Sequence, residues 1–231
     1  VTIYTIVCGA VSLLLAVVFR SGGPSHRVAS LWAWLILRTC GVSVEVEGEE
    51  NLGPARTFVF ASNHQSLFDT PILFAYLPVS FRILYKRSLN RIPFLGWHLF
   101  LSGHIGVERE NATKARESLT EAAAKIRAGT SVVVFPEGTR SYDGVMRGFK
   151  KGSFRLAIQA GAPIVPLTIA DSHLVMMRGR VTVYPRTVRL VIDRPIPVEG
   201  LEEEDAGPLA ARVRDVVSRN LDSVVSSKLA S

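Results

Sequence analysis

The chain has 231 residues, 48% of them apolar, enough to bury the core of one domain of ordinary size and enough to exclude a disordered or fibrous protein. Its formal charge is +7, and the first 198 residues hold 23 basic against 13 acidic side chains. Such an excess suits an anionic partner, whether phospholipid headgroups, a phosphate-bearing substrate, an acidic carrier protein or nucleic acid, and does not choose among them.

No charged residue occurs from Val1 to Phe19. As a helix this stretch spans about 28 Å, close to the hydrocarbon thickness of a bilayer. The first basic residue, Arg20, follows the apolar run instead of preceding it, which favours a membrane segment over a cleaved signal peptide. After a break at 21–26, Val28 to Leu37 forms a second apolar segment that is too short to cross a bilayer and carries Trp32 and Trp34 between Arg27 and Arg38. Those residues suit an interfacial helix, so 1–40 reads as a membrane-docking helical hairpin and 41–231 as the remaining domain. A plain core helix over 28–40 is the competing reading. Cys8 and Cys40 lie inside these apolar stretches, with no second ligand at metal spacing; reduced, buried thiols are expected, a Cys8–Cys40 bridge across the hairpin being the alternative. No metal is expected.

From residue 42 onward short β-branched runs alternate with helical patterns, as in an α/β domain. Strands are expected near 42 (VSVEVEG), 57 (TFVFAS), 81 (FRILYK), 104 (HIGVE), 131 (SVVVFP), 162 (APIVPLTIA), 180 (RVTVY) and 187 (TVRLVI). A helix over 111–128 opens on Asn111 and closes at Gly129, another follows Gly148 and ends at Gly161, and 202–228 forms an amphipathic tail helix after an acidic start.

Two segments carry candidate chemistry. NHQSLFD follows the strand TFVFAS and places His64 and Asp69 five residues apart at a strand end, where α/β sites sit. On one continuous helix the two side chains would point apart. With His64 in the loop and Asp69 in the first helical turn, the carboxylate can hold the imidazole at Nδ1 and leave Nε2 as a base for a substrate hydroxyl. Alone, the pair reads equally well as a loop histidine near a helix start. FPEGTRS at 135–141 also follows an apolar strand; there Gly138 lets backbone N–H groups approach an anion, Thr139 offers a hydroxyl and Arg140 can fork onto phosphate oxygens. A plain turn with a surface arginine is the alternative. Ser66 stands near His64, but without a G-x-S-x-G elbow an acyl-serine is not expected.

Taken together, NHQSLFD, GHIGVER at 103–109, FPEGTRS and IVPLTI at 164–169, in that order, resemble the four motifs of the glycerol-3-phosphate and 1-acylglycerol-3-phosphate acyltransferase superfamily. The resemblance extends through YKRSLNRIPFLGW at 85–97 and FKKGSFRLAIQAGAPIVP at 149–166 and covers roughly 42–195. It implies an α/β fold with a mixed sheet flanked by helices, His64 as base, Asp69 as its partner, and Arg109, Gly138, Thr139 and Arg140 at the acceptor phosphate. Glu137, which would repel that phosphate, is expected to orient Arg109 or Arg140 or to bind a glycerol hydroxyl. Lys86, Lys150 and Lys151 are expected as secondary anion contacts or as solvated surface charges. His104 and Gly106 depart from the more apolar second motif of many relatives.

The resemblance further implies acyl transfer from acyl-CoA or acyl carrier protein to the sn-2 hydroxyl of lysophosphatidic acid, giving phosphatidic acid, with no cofactor, anionic membrane lipid as a partner and a site on the inner, cytoplasmic face of a membrane. Acylation of glycerol-3-phosphate or another lysolipid, and non-catalytic lipid binding on the same scaffold, are the rival readings. Nucleic acid is not expected as a partner, because no aromatic stacking platform lies between the cations.

Overall fold

The computed structural model describes residues 1–19, 22–53, 57–108, 112–141, 144–176 and 182–229. Two helices come first, α1 (Thr2–Phe19) and α2 (Gly23–Thr39), followed by β1 (Val42–Glu47), β2 (Val59–Ser62), α3 (Asp69–Tyr76), β3 (Phe81–Lys86), α4 (Leu95–Leu101) and β4 (Ile105–Val107). The chain continues through α5 (Ala112–Arg127), β5 (Ser131–Val134), α6 (Gly152–Ala160), β6 (Ile164–Ala170), α7 (Ser172–Val175), β7 (Arg186–Ile192) and α8 (Ala206–Leu229).

The described strands form one sheet in the order β1-β7-β6-β2-β5-β3-β4, parallel throughout except where β6 meets β7. Strands β2, β5 and β6 are buried at every position, which is why their sequences are nearly unbroken apolar runs instead of alternating ones. Their side chains divide between two cores. Val59, Ala61, Val132 and Val134 pack under α5, α6 and α8, whereas Phe60, Val133, Leu167 and Ile169 pack under α2 and α3.

Among the described residues α1 is the one helix long and apolar enough to cross a membrane. It is tied to its neighbours by polar bonds: Trp32 Nε1 donates to Thr5 Oγ1 at 3.0 Å, Ser25 Oγ donates to the Ser12 carbonyl at 3.1 Å, and Ser12 Oγ meets His98 Nε2 at 2.9 Å. Helix α2 has two faces. Ala33 and Leu37 are fully buried in the sheet's core, while Leu31 and Trp34 are exposed, with Arg38 stacked over the Trp34 ring.

The structure differs from the sequence reading at several elements, α4 among them, which was not expected. Within the expected break at 21–26, residues 23–26 form the first turn of α2, where Pro24 stands and a missing N–H costs nothing. The expected strand at 180–184 lies partly outside the described residues, and 182–185 is irregular; Tyr184 N–H is taken by the Val175 carbonyl at 2.8 Å, off the sheet ladder. Cys8 and Cys40 are unpaired but half-buried, not buried. Asn111, the expected cap of α5, lies outside the described residues, whereas Gly161 closes α6 in the left-handed conformation as expected.

Candidate active site

Strands β2 and β5 are parallel neighbours, with Ala61 beside Val134, so the loops that follow them leave the same edge of the sheet. His64 sits two residues beyond β2, and Asp69 is the first residue of α3, where the helix dipole favours a carboxylate. The intervening turn brings them together, with His64 Nδ1 donating to Asp69 Oδ2 at 2.7 Å. The same Oδ2 accepts the backbone N–H groups of Gln65 and Ser66 at 2.7 and 2.8 Å, and Asp69 is wholly buried. The carboxylate therefore cannot swing away. The His64 side chain keeps 19% of its surface exposed, which leaves Nε2 an open side.

The second loop supports the first. Phe135 stacks on the His64 ring with centroids 4.0 Å apart and planes within 19°. Glu137 Oε1 accepts the His64 N–H at 2.7 Å and its Oε2 accepts the Arg147 N–H at 2.8 Å. Ser141 N–H returns a bond to the His64 carbonyl at 2.8 Å, and Gln65 Nε2 donates to the Gly144 carbonyl at 2.9 Å. Behind His64, Asn63 pairs through both ends of its amide with Ile169 of β6, each bond 2.8 Å long.

These bonds give Glu137 a task the sequence did not foresee. An orienting role toward Arg109 or Arg140 was the expectation; these two bonds run to backbone N–H groups, through which its carboxylate joins the two loops. Burial pushes its carboxyl above the usual range, against the lowering pull of the two donors. Gly138 has φ +75°, a turn conformation that side-chain-bearing residues rarely adopt, and a Cβ there would stand 2.9 Å from Lys150 Nζ, so Lys150 lies over this turn. Thr139 is exposed and Arg140 half-buried beside it. Lys151 runs the other way, against Gly207 at the start of α8, and Lys86 ends β3 in register with Val107. Arg109 lies outside the described residues. Ser66 Oγ accepts the Phe68 N–H at 3.3 Å and is fully buried, a helix-start role and not that of a nucleophile.

The departures at 104 and 106 have local causes. His104 is buried, its Nδ1 accepts the Ile83 N–H at 3.0 Å, and a side chain at Gly106 would press on the Tyr85 ring. Among the described residues no three His, Cys, Asp or Glu side chains are grouped to hold a metal ion. A mostly apolar cavity of about 370 Å³ lies between α1, α2, α3, α4 and β3, lined by Cys8, Val28, Trp32, Phe74 and Leu99 and reaching Thr70, the residue after Asp69. Asn63, Phe135 and Ser141 stood inside the quoted motifs and went unassigned; Arg147 takes part through its backbone alone and gave no signal.

The chain matches a family model described as Acyltransferase over residues 43–170. It is similar to the 1-acyl-sn-glycerol-3-phosphate acyltransferase of Chlamydomonas reinhardtii, 34% identical over 198 residues, covering 85% of this chain and 58% of that protein. It is also similar to the 1-acyl-sn-glycerol-3-phosphate acyltransferase of Saccharomyces cerevisiae, 31% identical over 229 residues, covering 94% and 74%. Among solved structures, the 1-acyl-sn-glycerophosphate acyltransferase PlsC of Thermotoga maritima superposes with a TM-score of 0.77 at 29% identity, covering 94% of this chain and 88% of that one.

Proposed function

The chain belongs to the Acyltransferase family, and from that premise we propose that it transfers a fatty acyl group from acyl-CoA or acyl carrier protein to the sn-2 hydroxyl of 1-acylglycerol-3-phosphate, giving phosphatidic acid. The observation that carries the reading is the His64–Asp69 contact of 2.7 Å, with the carboxylate held by two further N–H groups. A lipid-binding module has no use for a base fixed in this way.

In the proposed step the acceptor phosphate is held at the Gly138, Thr139, Arg140 turn, with Lys150 and Arg109 as further cations. His64 Nε2 takes the proton of the glycerol hydroxyl as its oxygen attacks the thioester carbonyl. Asp69 stabilises the imidazolium that forms. The tetrahedral intermediate expels the thiolate, which recovers the proton from His64, so one ester forms and one thioester breaks. As proposed, the step calls for neither metal nor redox cofactor. The cavity reaching Thr70 supports an acyl chain lodged between the N-terminal helices and the sheet. The apolar α1 supports membrane association, and we place the site at the inner, cytoplasmic face of that membrane.

Transfer of labelled palmitate from palmitoyl-CoA, and separately from palmitoyl carrier protein, to 1-acylglycerol-3-phosphate tests this. Phosphatidic acid is expected from the wild type and not from His64→Ala. A wild type inactive on lysophosphatidate but active on glycerol-3-phosphate or a neutral lysolipid would reassign the acceptor; full activity of His64→Ala would remove the proposed base.

A further inference from the structure

The segment between β3 and β4 carries apolar surface that its own domain leaves open. Helix α4 buries only Gly96, while Phe94 is 74% exposed, Phe100 69% and Trp97 53%. Aromatic side chains so close in sequence are seldom left in water together. Phe94 has φ +62°, a conformation that side-chain-bearing residues adopt at an energetic cost, and its ring meets Trp97 edge-on at 5.3 Å. The strain holds an aromatic ring outward, where it gains nothing from the fold.

This lip is firmly mounted. Gly96 backs so closely onto Asn90 that a Cβ there would overlap the Asn90 carbonyl, and Tyr85 Oη donates to Asn90 Oδ1 at 2.7 Å, tying the turn to β3. The segment itself carries charge of one sign: no Asp or Glu occurs between Asp69 and Glu108, and although Arg87 at its base pairs with Glu121 at 3.4 Å, Arg91 is exposed on the 3-10 turn just before Phe94. Its level is fixed too. The bond from His98 to Ser12 sets α4 beside the middle of α1, whose Ile6, Leu14 and Val18 are exposed. Lipid deep enough to cover the outer face of α1 along its length therefore reaches the level of α4, which packs on the opposite, Ser12 side of that helix.

We propose that 87–101 is a second membrane-inserting element, in which Phe94, Trp97 and Phe100 enter an anionic phospholipid surface beside the N-terminal hairpin while Arg91 stays at the lipid phosphates. The inference rests on the reading that this chain works on a lipid at a membrane. It adds a contact through α4, whose Leu95 and Leu99 also line the cavity, to the one made by the N-terminal hairpin.

The test uses the full chain with Trp97 as its one tryptophan (Trp32→Phe, Trp34→Phe), mixed with phosphatidylcholine–phosphatidylglycerol vesicles whose acyl chains are brominated. Trp97 emission is expected to move to shorter wavelength and to be quenched by the bromines. Flotation of Trp97→Ser/Phe100→Ser with the same vesicles is expected to be about tenfold weaker than that of the wild type. Unquenched Trp97, while a companion chain retaining Trp34 alone is quenched, would overturn the proposal and leave membrane docking through the hairpin intact. If neither tryptophan is quenched and no protein floats, both readings fall. Trp97 shielded without vesicles in a chain that sediments as a dimer would assign the lip to a second copy, and equal quenching on pure phosphatidylcholine would overturn the anionic requirement.

Discussion

Glu137 Oε1 accepts the backbone N–H of His64 across 73 residues of sequence, and its other oxygen accepts that of Arg147, so one buried carboxylate joins the loop that carries the base to the loop that carries the proposed phosphate site. Replacing Glu137 with Ala leaves two inward N–H groups unmet. A loss of about 1–3 kcal/mol in unfolding free energy is expected, from two part-buried hydrogen bonds contributing about 0.5–1.5 kcal/mol each. Urea unfolding followed by circular dichroism in detergent micelles checks this. An activity loss larger than the stability loss explains would identify the brace as a positioning device for His64.

Asp69→Asn keeps the shape of the side chain and removes its charge. The amide can satisfy the Gln65 and Ser66 N–H groups only by turning its oxygen toward them, and it no longer stabilises an imidazolium. A fall in kcat of about a thousandfold is expected, with little change in KM for the lysolipid. Steady-state kinetics at saturating donor decide the matter; a change confined to KM would place Asp69 in substrate binding.

Phe135 covers one face of the His64 ring and so limits the tilt of the imidazole that Asp69 holds. Phe135→Leu retains bulk but not the stack. A decrease in kcat of about fivefold is expected with KM unchanged, measurable in the same assay, and unchanged kcat would reduce the stack to packing.

Burial, reinforced by the nearby positive charge of Arg82, lowers His26 from an ordinary value near 6.5 to about 4 and His104 to about 3. Both rings are neutral in the folded protein at neutral pH, while the unfolded chain takes up protons as soon as pH falls through 6.5. Their contribution to stability is therefore complete above about pH 6.5 and is lost progressively on acidification toward 3. The urea midpoint is expected to fall from pH 7 to pH 4, and less steeply in His104→Asn, whose amide oxygen can still accept the Ile83 N–H. Parallel pH profiles for the two proteins would remove His104 from the account.

The His64–Asp69 pairing was legible because a loop-then-helix pattern leaves one way for residues five apart to meet. The central strands were legible because burial on both faces forces unbroken apolar runs. The task of Glu137 was not, since its partners are backbone N–H groups, which every residue but proline has and no sequence letter marks. Helix α4 was missed for a related reason: LGWHLFL is apolar nearly all round, so it shows no helical period. The run RVTVY has strand composition, yet part of it finds no ladder, because composition describes what a chain can do and pairing depends on which edge is open. The resemblance to an acyltransferase rested on motif order, and it located the site without describing how the site is held.

The adjacency of β2 and β5 sets a timetable for the molecule. The bonds between their loops join residues more than 70 positions apart, and contacts of such long range form late because the intervening chain must first lose its freedom. A chain whose N-terminal helix has already reached lipid is thus inert until the centre of its sheet is complete. After dilution from denaturant, the return of acyl transfer should lag behind the return of helical signal, and the lag is a clock for the pairing of those two strands.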